Sequence, residues 1–257
     1  MLARVISLYR RIVRSKHSHA TFSFLLPFII IVQVFIVQQV HPFGDKMILT
    51  IDLYHQYAPF LAEFRNKILS GESFFYSWNI GLGTNFWALY ANYSASPLNI
   101  IALFFPAKYI SDGIALLVCI RVGLAGLFMS MLLKDVDRGR KDAFLVVFSS
   151  FYALSGWVLS YFWNIMWMDA LVLLPLIVLG MRKMFRDGKP LLYCLSLFVC
   201  LWSNFFTGYF ICLFMVLYAP VCFITLFPGF NMARAMRCVG RFAFFSALAG
   251  GLAAMLL

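Results

Sequence analysis

The segment TIDLYHQYAPFLAEF, residues 50–64, carries the side chains best suited to group-transfer chemistry. Asp52 is a candidate general base, or an orienter of a metal, for moving a proton off a hydroxyl nucleophile. His55 and Gln56 are candidate substrate contacts beside it. On an α-helix the i, i+3, i+4 spacing puts Asp52, His55 and Gln56 on one face. Leu53, Tyr57, Phe60, Leu61, Phe64 and Ile68 then form an apolar stripe, as in a helix lying along a bilayer surface. The competing reading is a helix cap, because an Asp ahead of an amphipathic helix satisfies its free amide groups.

Two further ionisable residues fall within apolar runs. Asp169 lies about one turn into a run that begins after Trp163, and an acid inside a span is a functional hypothesis by default. Equally, it could end the loop at headgroup level. Arg121 sits nine residues into another run, which at about 1.5 Å per residue is about 14 Å deep. Translocon scales put the cost of such an arginine at about 2.5–3.5 kcal/mol. It needs an anionic lipid phosphate, an internal carboxylate or backbone carbonyls as partner. Asn164, Asn204 and Tyr209 stand at turns and are candidate sugar contacts, with capping and belt roles as the alternative. Glu63 has Lys67 at i+4 and pairs with it on a helix.

Other chemistries find no support. The six cysteines show no CxxC spacing, there is no HExxH or Ser/His/Asp arrangement, and Gly81-Leu82-Gly83 lacks the lysine of a phosphate loop. Asn92-Tyr93-Ser94 matches a glycosylation sequon, a tripeptide common by chance. Nothing specifies a cofactor, although a divalent metal is compatible with the acids.

The elements that must position these residues follow from composition. The chain is 63% hydrophobic and 12% charged, about half the charge of ordinary domains. Apolar runs of about 18–20 residues, long enough to cross a hydrocarbon core of about 30 Å, recur along it. The expected fold is all-α, a polytopic integral membrane protein with about seven transmembrane helices: 21–40, 112–133, 143–162, 164–181, 191–206, 209–227 and one from Phe242 onward. The run 96–105, closed by Pro106, is too short to span and is expected to be re-entrant or interfacial. Residues 41–95 are expected to form an extracytoplasmic loop with interfacial helices. The net charge of +11 does not imply nucleic acid: sixteen of 21 Lys and Arg fall within 4–16, 134–141, 182–189 and 234–241, each beside an apolar run. That is the positive-inside pattern, with a cytoplasmic N-terminus. The first run is long and lacks an A-x-A-type cleavage site, so it reads as a retained span. Residues 1–257 are expected to form one transmembrane domain, the N-terminal part of a longer protein.

Several motifs in order, 52–60 (DLYHQYAPF), 74–85 (FFYSWNIGLGTN), Tyr93 with Ser96 to Asn99, Arg121, 164–180 (NIMWMDALVLLPLIVLG) and 203–210 (SNFFTGYF), resemble the N-terminal half of YfhO-type bacterial membrane proteins. That family is similar to the GT-C glycosyltransferases. The resemblance implies a multi-pass enzyme of the bacterial plasma membrane that takes sugar from an undecaprenyl-phosphate carrier at the outer face. The acceptor would be a cell-envelope polymer such as lipoteichoic acid. It makes Asp52 the catalytic acid or base and Asp169 a second site acid; on the residue reading above, Arg121 would then hold the anionic lipid head. A flippase for a lipid-linked intermediate and a non-catalytic assembly partner remain alternatives. Transfer by purified protein without two compartments separates enzyme from flippase.

Overall fold

The computed structural model describes residues 18–137 and 142–256. The basic stretch 4–16 and Arg138, Arg140 and Lys141 lie outside the described residues. Ten α-helices occur among them: α1 (Ser18–Val37), α2 (Ala58–Ser70), α3 (Phe86–Leu89), α4 (Ile110–Val136), α5 (Asp142–Ala153), α6 (Gly156–Tyr161), α7 (Ile165–Asp187), α8 (Leu191–Ser203), α9 (Phe205–Leu226) and α10 (Met232–Ala253). Two single π-helical turns, Leu53–Tyr57 and Tyr90–Ser94, and two 3-10 segments, Pro97–Phe104 and Ala107–Tyr109, complete the helical inventory. Strands are absent among the described residues.

Five stretches are long and apolar enough to cross a membrane: Ser18–Val37, Ala107–Val136, Asp142–Tyr161, Ile165–Asp187 and Phe205–Leu226. These are five of the seven expected spans, and the other two have physical reasons to differ. The fifth stops at Ser203 because Asn204 leaves helical geometry (φ −162°) to cap α9, so α8 has only 13 residues. The last is longer than expected, since α10 runs unbroken from Met232 through Arg234, Arg237 and Arg241. The third span is broken after Ala153 and resumes at Gly156. Most of α9 is exposed, including Val216, Leu217 and Ile224, a surface that lipid covers in a multi-pass membrane protein.

The helices pack in sequence: α1 against α4 and α5, α4 against α7, α7 against α8 and α9, and α8 against α10. Small residues permit the closest approaches. A Cβ on Gly126 would collide with the Ser23 carbonyl of α1, which is the packing role of small residues in membrane helices. One apolar core joins α1, α2, α4 and the start of α7, and a second joins the rest of α7 with α8, α9 and α10.

The segment 97–104 does not span. Ser96 caps it by accepting from the Leu98 amide (3.3 Å), and Pro97 supplies the preset first-turn geometry. It dips far enough to bury Asn99 and Ala102 completely, while Ile100 and Phe104 remain exposed.

Candidate functional site

Asp52 opens a turn whose period differs from the expected one. Leu53–Tyr57 is π-helical, and Ala58–Ser70 continues as α-helix with Pro59 in its first turn. In a π-turn the backbone pairs i with i+5, not i with i+4, so Tyr57 comes round beside Asp52. The Asp52 carboxylate is exposed and makes no capping hydrogen bond, which removes the cap reading. Just ahead of it Ile51 has φ 48°. A β-branched side chain there is strained by about 1–3 kcal/mol, and such strain collects at functional turns.

Tyr57 is buried, and its phenol donates to Asn164 Oδ1 (3.2 Å). Burial, then the Asp52 carboxylate, pushes its pKa up to about 12, so at neutral pH it is always a proton donor. Its ring lies between Tyr93 (centroids 5.5 Å) and Trp163 (6.4 Å). Tyr93 belongs to the second π-turn, so both π-turns meet at one place. π-Turns are rare and recur at functional sites.

Below this aromatic stack lies a buried ion pair. Arg121, wholly buried in α4, donates from Nε and Nη2 to the Asp169 carboxylate of α7 (3.3 and 3.2 Å). Nη2 also reaches Asn99 Oδ1 (3.0 Å) and Ser96 Oγ (3.3 Å). The dipped segment 97–104 and its Ser96 cap therefore bring two neutral acceptors to the cation. Arg121 Nη1 and Asn164 Nδ2 are buried without hydrogen-bond partners; an unmet buried donor costs about 1–3 kcal/mol.

The sequence-expected residues thus separate into groups. Asp52, His55 and the half-buried Gln56 stand at the surface, with His55 edge-on to Tyr54 (5.0 Å). Asp169, Asn164 and Arg121 are interior. Arg121 faces a carboxylate inside the bundle and not a lipid head, because complete burial leaves its guanidinium no route to one. Asn204 is occupied as well. Its Oδ1 caps α9 through the Thr207 amide (2.8 Å), and its Nδ2 donates to the Asn92 carbonyl (2.7 Å). Tyr209 is exposed on α9. Ser96, Asn99 and Tyr57 were not singled out as site residues from sequence; the polar Ser-Pro-Leu-Asn sequence opening an apolar run was the available signal.

Glu63 and Lys67 pair as expected (3.6 Å), and both are buried. Lys67 also donates to the Ser73 and Tyr76 carbonyls (2.9 and 2.8 Å), and Glu63 accepts from Ser77 Oγ and Asn79 Nδ2 (3.0 Å). This network fastens the loop 71–85 to α2. No group of three or more His, Cys, Asp or Glu converges as a metal site among the described residues.

At the other end of the bundle Asp135 of α4 receives Arg182 Nε (3.1 Å) and both Nη atoms of Arg186 (3.1 and 2.8 Å) from α7. Ser18 Oγ and Lys134 Nζ reach Asp142 (2.9 and 3.4 Å). All of these lie beside basic clusters, away from Asp52.

No curated protein and no solved structure matches this chain. A family model described as bacterial membrane protein YfhO matches residues 23–257. It takes in both π-turns, the Arg121–Asp169 pair, most of α1 and every later helix, and the chain belongs to that family of bacterial membrane proteins.

Proposed function

We propose that the Asp52 end faces the outside of the cell and is the acceptor side of a membrane glycosyltransferase. The basic clusters at the opposite end support that orientation, with the N-terminus cytoplasmic. The donor is a sugar on a polyprenyl phosphate, and the acceptor is a hydroxyl of an envelope polymer such as lipoteichoic acid. In the reaction the acceptor oxygen forms the new bond to the anomeric carbon and the sugar–phosphate bond breaks. The phosphate leaves on its lipid, and Asp52 takes the hydroxyl proton. His55 and Gln56 flank the acceptor. Asp169 and Arg121 form the charged floor beneath the stack, and Asn164 is held ready by Tyr57.

One observation carries this reading: an exposed carboxylate on a strained π-turn, adjoining a buried phenol that leads inward to Asn164. A carboxylate that merely solubilised the surface would need neither the turn nor the tyrosine. The test is Asp52→Asn in the complete protein. Transfer from polyprenyl-phosphate sugar should fall by about 10²–10⁴-fold, with thermal stability unchanged within about 0.5 kcal/mol because the side chain is exposed. Undiminished transfer would remove Asp52 from catalysis. Assayed in detergent, where no second compartment exists, an enzyme still transfers sugar and a flippase shows no turnover.

A further inference from the structure

A cavity of about 370 Å³ lies between the end of α1, the middle of α4 and α6, within the roughly 300–1,000 Å³ of small-molecule sites. Its base is formed by Ile31, Val118, Val122 and Val158, all buried, and its rim includes the exposed Val34 and Leu159. These rim residues belong to helices that cross the membrane, so the cavity opens sideways toward lipid.

The polar part of the lining is concentrated at one end, in Gln38, Lys46 and Thr50. Lys46 is exposed and forms no ion pair with another described residue. Its position is built by the turn after α1: the Lys46 amide donates to the Gln39 carbonyl (3.0 Å), and the His41 amide donates to the Lys46 carbonyl (2.8 Å). Gly44 allows the turn to close, since a Cβ there would come within 2.5 Å of Gln39 Cβ. Two residues of the lining stand close in sequence to the candidate site. Thr50 lines it two residues before Asp52, and Phe162 lines it one residue before the Trp163 that stacks on Tyr57.

We infer that this cavity seats the apolar chain of a prenyl phosphate, with the phosphate meeting the Lys46 ammonium at its mouth. The inference rests on the proposed function for the identity of the lipid, and it moves the phosphate contact from Arg121 to Lys46. A cation with no ion-pair partner among the described residues, at the end of a mostly apolar and laterally open groove, matches a ligand with one long apolar tail and one anionic head. A diacyl lipid has two tails to accommodate in the same space. The neighbouring Asp52 then lies where a sugar on that phosphate would meet its acceptor.

The test uses the complete protein in phosphatidylcholine nanodiscs and a diazirine-bearing farnesyl phosphate as photoprobe. The expected label falls on peptides containing Val34 and Leu159. Undecaprenyl phosphate should compete at concentrations about tenfold below those of phosphatidylglycerol or undecaprenol. Leu159→Trp, which fills the rim from an exposed position, should cut labelling about tenfold. Lys46→Glu should weaken probe binding about tenfold and Lys46→Arg should preserve it. Equal competition by phosphatidylglycerol, or labelling indifferent to both Leu159→Trp and Lys46→Glu, assigns the cavity to bulk lipid and overturns the inference. The transfer assay on Asp52→Asn is a separate readout. If Asp52→Asn transfers normally while labelling follows the expected pattern, the catalytic reading falls and the prenyl-phosphate site stands.

Discussion

The two ends of the bundle solve the same electrostatic problem differently. At the basic end Asp135 is met by three guanidinium nitrogens, including a two-pronged grip from Arg186, the geometry that makes such pairs strong. At the Asp52 end the interior cation Arg121 has one carboxylate and two neutral acceptors for its donors, and one nitrogen is left over. The surface carboxylate there has no cationic partner among the described residues and follows the strained Ile51. Polar groups that only hold helices together are normally satisfied. The contrast is between a carboxylate clasped by three guanidinium nitrogens and a buried guanidinium with one donor to spare.

The sharpest way to break that contrast is to remove one partner of the buried pair. Arg121→Met leaves the Asp169 carboxylate buried and unpaired, and Asp169→Leu does the same to the guanidinium. Each should destabilise the protein by about 3–5 kcal/mol, read as a lowered melting temperature in detergent. The double variant Arg121→Met/Asp169→Leu should regain most of that stability. If the pair serves transfer, the double variant will fold and remain inactive; if the pair is only a clasp, activity returns with the fold.

Asp135→Asn probes the opposite end. It leaves Arg182, which is 9% exposed, without its carboxylate, and should cost about 2 kcal/mol. Activity per folded molecule should stay at the wild-type level. A catalytic defect in this variant at full folding would erase the distinction between the ends.

The smallest effect concerns Tyr57. Tyr57→Phe should cost about 1 kcal/mol through loss of the hydrogen bond to Asn164. The wild-type phenol has a folded pKa of about 12 against an ordinary value of 10. Its stabilising contribution is therefore intact below pH 10 and is lost as pH rises from 10 through 12. Melting curves across that window should fall more steeply for wild type than for Tyr57→Phe.

Much of this architecture is legible in the residues. The apolar runs announce the spanning helices, Pro97 and Pro106 bound the short dipped segment, and the Glu63–Lys67 spacing announces its own pair. What escapes is either a change of period or a contact between distant parts of the chain. A 3.6-residue repeat assigns His55 and Gln56 to Asp52, whereas the π-turn brings Tyr57 there. Nothing local distinguishes the two, because both follow from the same amphipathic string. Arg121 demands a partner on energetic grounds, but choosing Asp169 over a lipid phosphate requires knowing that α4 and α7 pack together. The exposed state of Asp52 was likewise open, since an Asp in that position suits a cap equally well. Lys46 carries no local signal, because one lysine in a polar loop is unremarkable without the cavity that adjoins it.

The thirteen residues of α8 reach only about 20 Å, while the apolar stretch Ala107–Val136 is 30 residues long. A bilayer about 30 Å thick cannot meet both at one level. Spanned by α8, the bilayer would thin beside that helix, while the longer stretch tilts, each at modest energetic cost per ångström. The protein would then travel with its own depression in the leaflet, and water and headgroups would stand deeper on the α8 flank than around the longer helix.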